Sequence, residues 1–134
     1  MKLTSTKYSA GAFNVAMLLM RLAFGGLMLP HGYDKLVKFA EYEKNFMNFL
    51  GLGPTVSLGL LVFAEFFCSA LIILGLFTRF AAIPLIIAMS VALFNAHHGL
   101  VFTEGEHAAL YIFGYLVIFL LGPGKISVDG AISK

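Results

Sequence analysis

Two charged residues lie inside otherwise apolar runs of this chain. Arg21 interrupts the run from Ala12 to Tyr33, and Glu65 is the one charge between Val56 and Phe77. A guanidinium cannot shed its proton in a protein, so it must find an acceptor wherever the fold puts it. An ionised group at membrane depth pairs with an opposite charge or lines a wet cavity. Further polar side chains gather at the ends of the apolar runs: His31, Asn95, His97, His98, Glu106 and His107, with Tyr111 one turn beyond His107. Imidazole exchanges a proton near neutral pH. A guanidinium, a carboxylate and several imidazoles in one place could hold the polar head of a small ligand and hand protons to it. The spacing matches no recognised metal signature, and a metal centre needs three or four ligands in defined geometry. Cys68 is the only cysteine, so an internal disulfide and a thiolate cage are excluded.

Each of these residues also has a plainer use. Arg21 and Glu65 can form an ion pair that only fixes helix packing. His31 and His107 can bond headgroups or backbone at an interface. His97 and His98 are neighbours, which on a helix point about 100° apart, so at most one of them faces inward.

The elements that must position these groups are helices in lipid. Of 134 residues, 60% are hydrophobic and only 12% charged, against roughly half and a quarter in soluble domains. So short a chain cannot hide that much apolar surface from water in its own core. The formal net charge is +2, with no basic stripe, so nucleic-acid binding is unsupported. Four apolar segments, about 12–33, 56–77, 80–97 and 105–121, predict an all-α integral membrane four-helix bundle forming one domain over 1–134. The last needs Glu106 and His107 in its first turn to approach the ~20 residues a spanning helix prefers. The basic N-terminus lacks a small-residue cleavage site before Arg21, so the first segment reads as an uncleaved span.

Four spans place both termini on one side. That side carries Lys2, Lys7, Arg79, Lys125 and Lys134, against Lys35, Lys38 and Lys44 opposite. The positive-inside bias then makes the termini cytoplasmic. Between spans one and two, Leu36, Phe39, Tyr42, Phe46 and Phe49 or Leu50 recur at near-helical spacing, which predicts a short amphipathic interfacial helix. Gly25, Gly26, Gly59 and Gly114 read as points of close helix approach. Counting rise per residue, Arg21 and Glu65 differ in depth by only about 5 Å. The expected site is therefore an Arg21–Glu65 pair below an outer mouth of His31, Asn95, His98, Glu106, His107 and Tyr111.

Three stretches carry a resemblance. RLAFGGLMLPHGYDKL, AEFFCSALIILGLFTR and EHAALYIFGYLVIFLLGPGKISVD together resemble the DoxX family of small four-helix bacterial membrane proteins. Arg21, His31, Glu65 and Lys125 stand at matching motif positions. The resemblance implies an inner-membrane, redox-associated subunit linked to quinone chemistry, with a quinone as the suspected cofactor. The Cys pairs of a thiol-redox enzyme are missing here, and no haem or flavin motif is present. Electrons would come from a redox partner protein, and the chain alone would not be a complete enzyme. Its partners would be the lipid bilayer, that redox protein and, in a homo-oligomer, further copies of itself. The alternative is a non-catalytic scaffold, or a small-molecule binding or permeation protein, whose ion pair is structural.

Overall fold

The computed structural model describes residues 3–44, 46, 49–96 and 105–132. Among them every regular element is helical. Helix α1 spans Ala10–Val37, α2 Phe39–Glu43, α3 Pro54–Leu74, α4 Thr78–Val91, α5 Glu106–Leu121 and α6 Val128–Ile132. α3 contains a π-helical turn at Phe63–Cys68, and α4 runs on into another at Ala92–Ala96. The four long helices pack in cyclic order, α1 on α3, α3 on α4, α4 on α5 and α5 on α1.

Local chemistry sets the ends. Ser9 Oγ accepts from Ala12 N at 3.1 Å and so caps α1, as a hydroxyl does at a helix start. Gly53 at φ 89° turns the chain and Pro54 opens α3, where its missing N–H costs nothing. At the far end Gly75 adopts φ 71°, a left-handed conformation that suits glycine. Gly75 N then bonds Ile72 O at 3.1 Å and Leu76 N bonds Leu71 O at 2.9 Å. These are the two bonds of a Schellman stop.

Among the described residues, α1 and α3 are the two helices long and apolar enough to cross a membrane, at 28 and 21 residues. The apolar helices Thr78–Phe94 and Glu106–Leu121 are shorter. Met17, Leu58, Ile72, Leu85, Tyr115 and Ile118 are buried, whereas Leu27, Phe80, Phe94, Phe113 and Leu120 are each more than three-fifths exposed. So many large apolar side chains turned outward fit a hydrocarbon solvent rather than water.

Two expectations need correction. The first helix does not stop at Tyr33 but runs on to Val37, with Pro30 inside it. The interfacial helix is accordingly short: α2 has five residues, none buried, and a 3₁₀ turn follows at Phe49–Gly51. Leu36 belongs to α1 instead.

Candidate functional site

Arg21 is 1% exposed, and its partners are carbonyl oxygens. Nη1 donates to Ile73 O at 3.1 Å, and Nη2 donates to Ile126 O. The Schellman stop satisfies Leu71 O and Ile72 O, which leaves Ile73 O among the orphan acceptors of the last turn of α3. Arg21 fills that vacancy from the neighbouring helix. Its second bond reaches the segment after α5, which folds back under the helices.

That segment is held at several further points. Lys125 N donates to Asn14 Oδ1 at 2.9 Å, and Asp129 N donates to Gly75 O at 2.8 Å. The Asp129 carboxylate accepts from Phe77 N at 2.9 Å, and from Thr78 N and Thr78 Oγ1 at 3.0 Å each. α4 has no cap of its own, so Asp129 supplies one from a distant part of the chain. Burial pushes the Asp129 carboxyl up, but those hydrogen bonds and the nearby Arg21 charge outweigh it and hold it below the usual aspartate value. Arg79 in turn donates from Nε to Phe119 O at 3.1 Å and from Nη2 to Leu120 O at 3.4 Å, closing the end of α5.

Glu65 lies elsewhere. Its Oε1 and Oε2 are 3.1 and 3.0 Å from Lys35 Nζ, with side-chain exposures of 5% for Glu65 and 20% for Lys35. The expected Arg21–Glu65 pair is thus replaced by two separate arrangements. Close contacts at two glycines set the register between α1 and α3. A Cβ on Gly25 would meet Ile73 Cγ1 at 2.8 Å and Ser69 O at 3.0 Å, and one on Gly32 would meet the Glu65 and Phe66 backbone at 2.5 Å. Glu65 is therefore level with Gly32, eleven residues or about 16 Å along α1 from Arg21. Assigning depth from segment boundaries placed the two helices out of register. Lys35 is the functional candidate that reading missed. It shares a helical face with Met28 and Gly32, both buried, and that periodicity was the available signal.

Aromatic side chains line the same stretch of α3. Tyr33 and Phe66 have ring centres 6.2 Å apart, Phe66 and Phe67 5.2 Å, and Phe67 and Phe63 6.3 Å. Lys35 Nζ stands 6.0 Å from the centre of the Tyr42 ring, and Tyr42 hydroxyl donates to Asp34 at 2.5 Å. On the other side of α3, an open groove of about 410 Å³ runs between α3 and α4. Phe46, Leu60, Leu61, Phe63, Ala64, Pro84, Ile87, Ala88 and Val91 line it. The groove lies beside both π-helical turns and beside Pro84, whose ring denies a hydrogen bond to the carbonyl one turn back. Such turns recur at functional sites.

The DoxX family model matches residues 16–98, more than half of the chain. The chain belongs to the DoxX family. It is a membrane protein of that family. No curated protein and no solved structure matches it. The matched DoxX region takes in Arg21, Lys35 and Glu65 and ends before Glu106, His107 and the tail that Arg21 holds.

The other residues expected at this DoxX protein's site do not converge on Arg21. His31, Glu106 and His107 are exposed. Tyr111 is partly buried, edge-on to Phe24 at 5.9 Å and stacked with Tyr115 at 5.9 Å. Tyr115 hydroxyl donates to Phe24 O at 3.2 Å. His97, His98 and the side chain of Asn95 lie outside the described residues. Among the described residues no three His, Cys, Asp or Glu side chains are placed to hold a metal. Gly114 does admit a close neighbour, the Phe24 ring, whereas Gly26 and Gly59 face open space.

Proposed function

We propose that this DoxX protein crosses the bacterial inner membrane four times, with both termini cytoplasmic, and serves as a redox-associated subunit. It binds a quinone or a similar amphipathic aromatic molecule, and a partner protein supplies the electrons. The groove between α3 and α4 carries this reading. Its volume of about 410 Å³ falls in the range of small-molecule sites, roughly 300–1,000 Å³. Its lining is almost wholly apolar, with Phe63 at one edge and Phe46 contributed by the loop before α3. A long apolar tail loses little by leaving lipid for such a groove, so selectivity must come from shape and from polar contacts nearby.

Quinone and lipid analysis of gently solubilised protein tests the reading. The native chain retains an aromatic amphiphile, and Ala88→Phe, which fills the groove, loses it while still folding. A variant that retains the same molecule at the same stoichiometry sinks this assignment.

One observation favours the scaffold alternative. Arg21 is bonded to two backbone carbonyls, which is what a helix lock requires and not what a ligand head requires. We assign Arg21 to holding the fold under either reading.

A further inference from the structure

The start of α4 and the segment after α5 border an open cavity that shares no residue with the α3–α4 groove. It holds about 390 Å³ and is lined by Phe77, Thr78, Arg79, Phe80, Pro123 and Asp129, with two glycines. Its charged lining residues are one cation and one anion, Arg79 and Asp129. Among the described residues no ion pair joins the two. Each is instead fixed by other groups. Arg79 commits Nε to Phe119 O and Nη2 to Leu120 O, and among the described residues its Nη1 has no acceptor. A guanidinium carries five N–H donors, so this one keeps donors in reserve. Asp129 accepts from Phe77 N, Thr78 N and Thr78 Oγ1, which leaves a carboxylate about one lone pair to offer. Those bonds also occupy the N–H groups that open α4, so the cavity presents two side chains of opposite sign rather than a bare helix end. Its depth follows from α3, which is long and apolar enough to cross a membrane and ends at Leu74. The cavity begins just beyond, at Phe77, where hydrocarbon gives way to headgroups. Phe77 and Phe80 on its wall are each more than half exposed.

Charge complementarity selects the occupant. An arginine at headgroup depth suits a lipid phosphate. A head that is only anionic would satisfy Arg79 but face the Asp129 carboxylate, and a quaternary ammonium could not donate to that carboxylate. A phosphate diester joined to a primary ammonium suits both. We propose that this cavity binds a phospholipid with a phosphoethanolamine head. The phosphate accepts from Arg79 Nη1, the ammonium donates to the Asp129 carboxylate, and the acyl chains leave past Phe77 and Phe80 into the bilayer. This site is separate from the α3–α4 groove and does not depend on what the groove binds.

Four dioleoyl lipids that differ only in the head decide it: phosphatidylethanolamine, its N,N-dimethyl form, phosphatidylcholine and phosphatidylglycerol. Native mass spectrometry of full-length protein released from mild detergent gives their relative affinities. The native chain binds the first two, which keep an N–H, about tenfold tighter than phosphatidylcholine, the discrimination expected of one charge-assisted hydrogen bond. It also binds phosphatidylglycerol more weakly than phosphatidylethanolamine. Asp129→Asn keeps the shape without the charge and narrows the preference over phosphatidylcholine to about threefold, since a neutral hydrogen bond is about half as strong. Arg79→Gln weakens binding of all four lipids. Lys125→Gln removes an exposed charge at the same end of the molecule but outside the cavity, and keeps the native preference. Equal binding of phosphatidylethanolamine and phosphatidylcholine by the native chain overturns the proposal, and so does tighter binding of phosphatidylglycerol. A preference undiminished in Asp129→Asn, lipid affinities unchanged in Arg79→Gln, or a preference lost in Lys125→Gln overturns it as well. The comparison of lipids on the native chain remains decisive if a variant fails to fold. Soluble phosphoethanolamine at the same concentration leaves the lipid in place; displacement by it overturns the assignment to a lipid.

Discussion

Lys35 Nζ stands 3.0 Å from Glu65 Oε2 and 3.1 Å from Oε1, joining α1 to the π-helical turn of α3. Glu65 is 5% exposed at its side chain, so removing Lys35 leaves a carboxylate with neither water nor a counter-charge. Lys35→Met should cost about 3 kcal/mol or more, the usual result of stranding one member of a buried pair. Lys35→Met/Glu65→Leu should cost less than Lys35→Met alone. Unfolding in micelles, run as a double-mutant cycle, gives the coupling. Losses that simply add show that the two residues are not coupled in stability.

Gly32 makes the approach behind that pair possible. A Cβ there would come within 2.5 Å of the Glu65 and Phe66 backbone, and backbone cannot swing aside. Gly32→Ala should therefore separate α1 from α3 and lower stability by about 2 kcal/mol or more, in the range of overpacked sites. Gly26, on the same helix, faces open space. Gly26→Ala should be neutral or stabilise by up to about 1 kcal/mol through helix propensity. Thermal unfolding of the two variants side by side checks the contrast.

The Arg21 tethers predict a local effect as well as a global one. Arg21→Met removes the donors to Ile73 O and Ile126 O. Hydrogen bonds from a charged group contribute about 1.5–3 kcal/mol each, so the loss should be at least about 2 kcal/mol. The segment after Gly122 should also become cleavable by added protease under conditions where native protein resists. A variant that loses stability while its tail stays fully protected would show that Ile126 is not held through Arg21.

How much of this was readable beforehand differs between helices and contacts. Hydropathy located all four long helices to within a few residues, because the apolar runs 12–33, 56–77, 80–97 and 105–121 are long and bounded by glycine, proline or charge. It could not give the register between them. That depends on where Gly25 and Gly32 let α1 touch α3, and a shift of a few residues exchanges one partner for another. A carboxylate inside an apolar run needs a cation, and Glu65 is buried, but its cation, Lys35, lies four residues beyond His31 and past Tyr33, where the apolar run ends. The tail was opaque for a different reason. Asp129 caps α4 across 51 residues of sequence, and no local pattern announces a cap supplied from so far away.

Topology is tested independently of any ligand. Four crossings put the C-terminus and the α4–α5 connection on opposite sides. Reporter fusions after Lys134 and near Gly105 should report the cytoplasm and the outer compartment respectively. Both in one compartment would mean that the shorter helices, Thr78–Phe94 and Glu106–Leu121, do not each cross. The inward-positive assignment of Arg79 and Lys125 would fall with it.

Asp129 gives a pH-dependent prediction with a definite sign. Its carboxyl is held below the usual aspartate value in the folded protein, so the folded state favours the charged form. Such a group contributes stability in full above its unfolded pKa, and loses it as pH falls through the lower folded value. Asp129→Asn keeps the shape and one acceptor oxygen but cannot carry charge at the N-terminus of α4, where a negative group is favoured. The variant should be less stable than the native chain by about 1 kcal/mol at neutral pH. That gap should stay constant down to the ordinary aspartate range, near pH 4, and close below it. Groups that titrate alike in both proteins cancel in the difference, so the closing gap reports Asp129 alone. Unfolding measured in micelles across this range decides it: a gap that widens in acid, or is absent at neutral pH, removes Asp129 as the charged cap of α4.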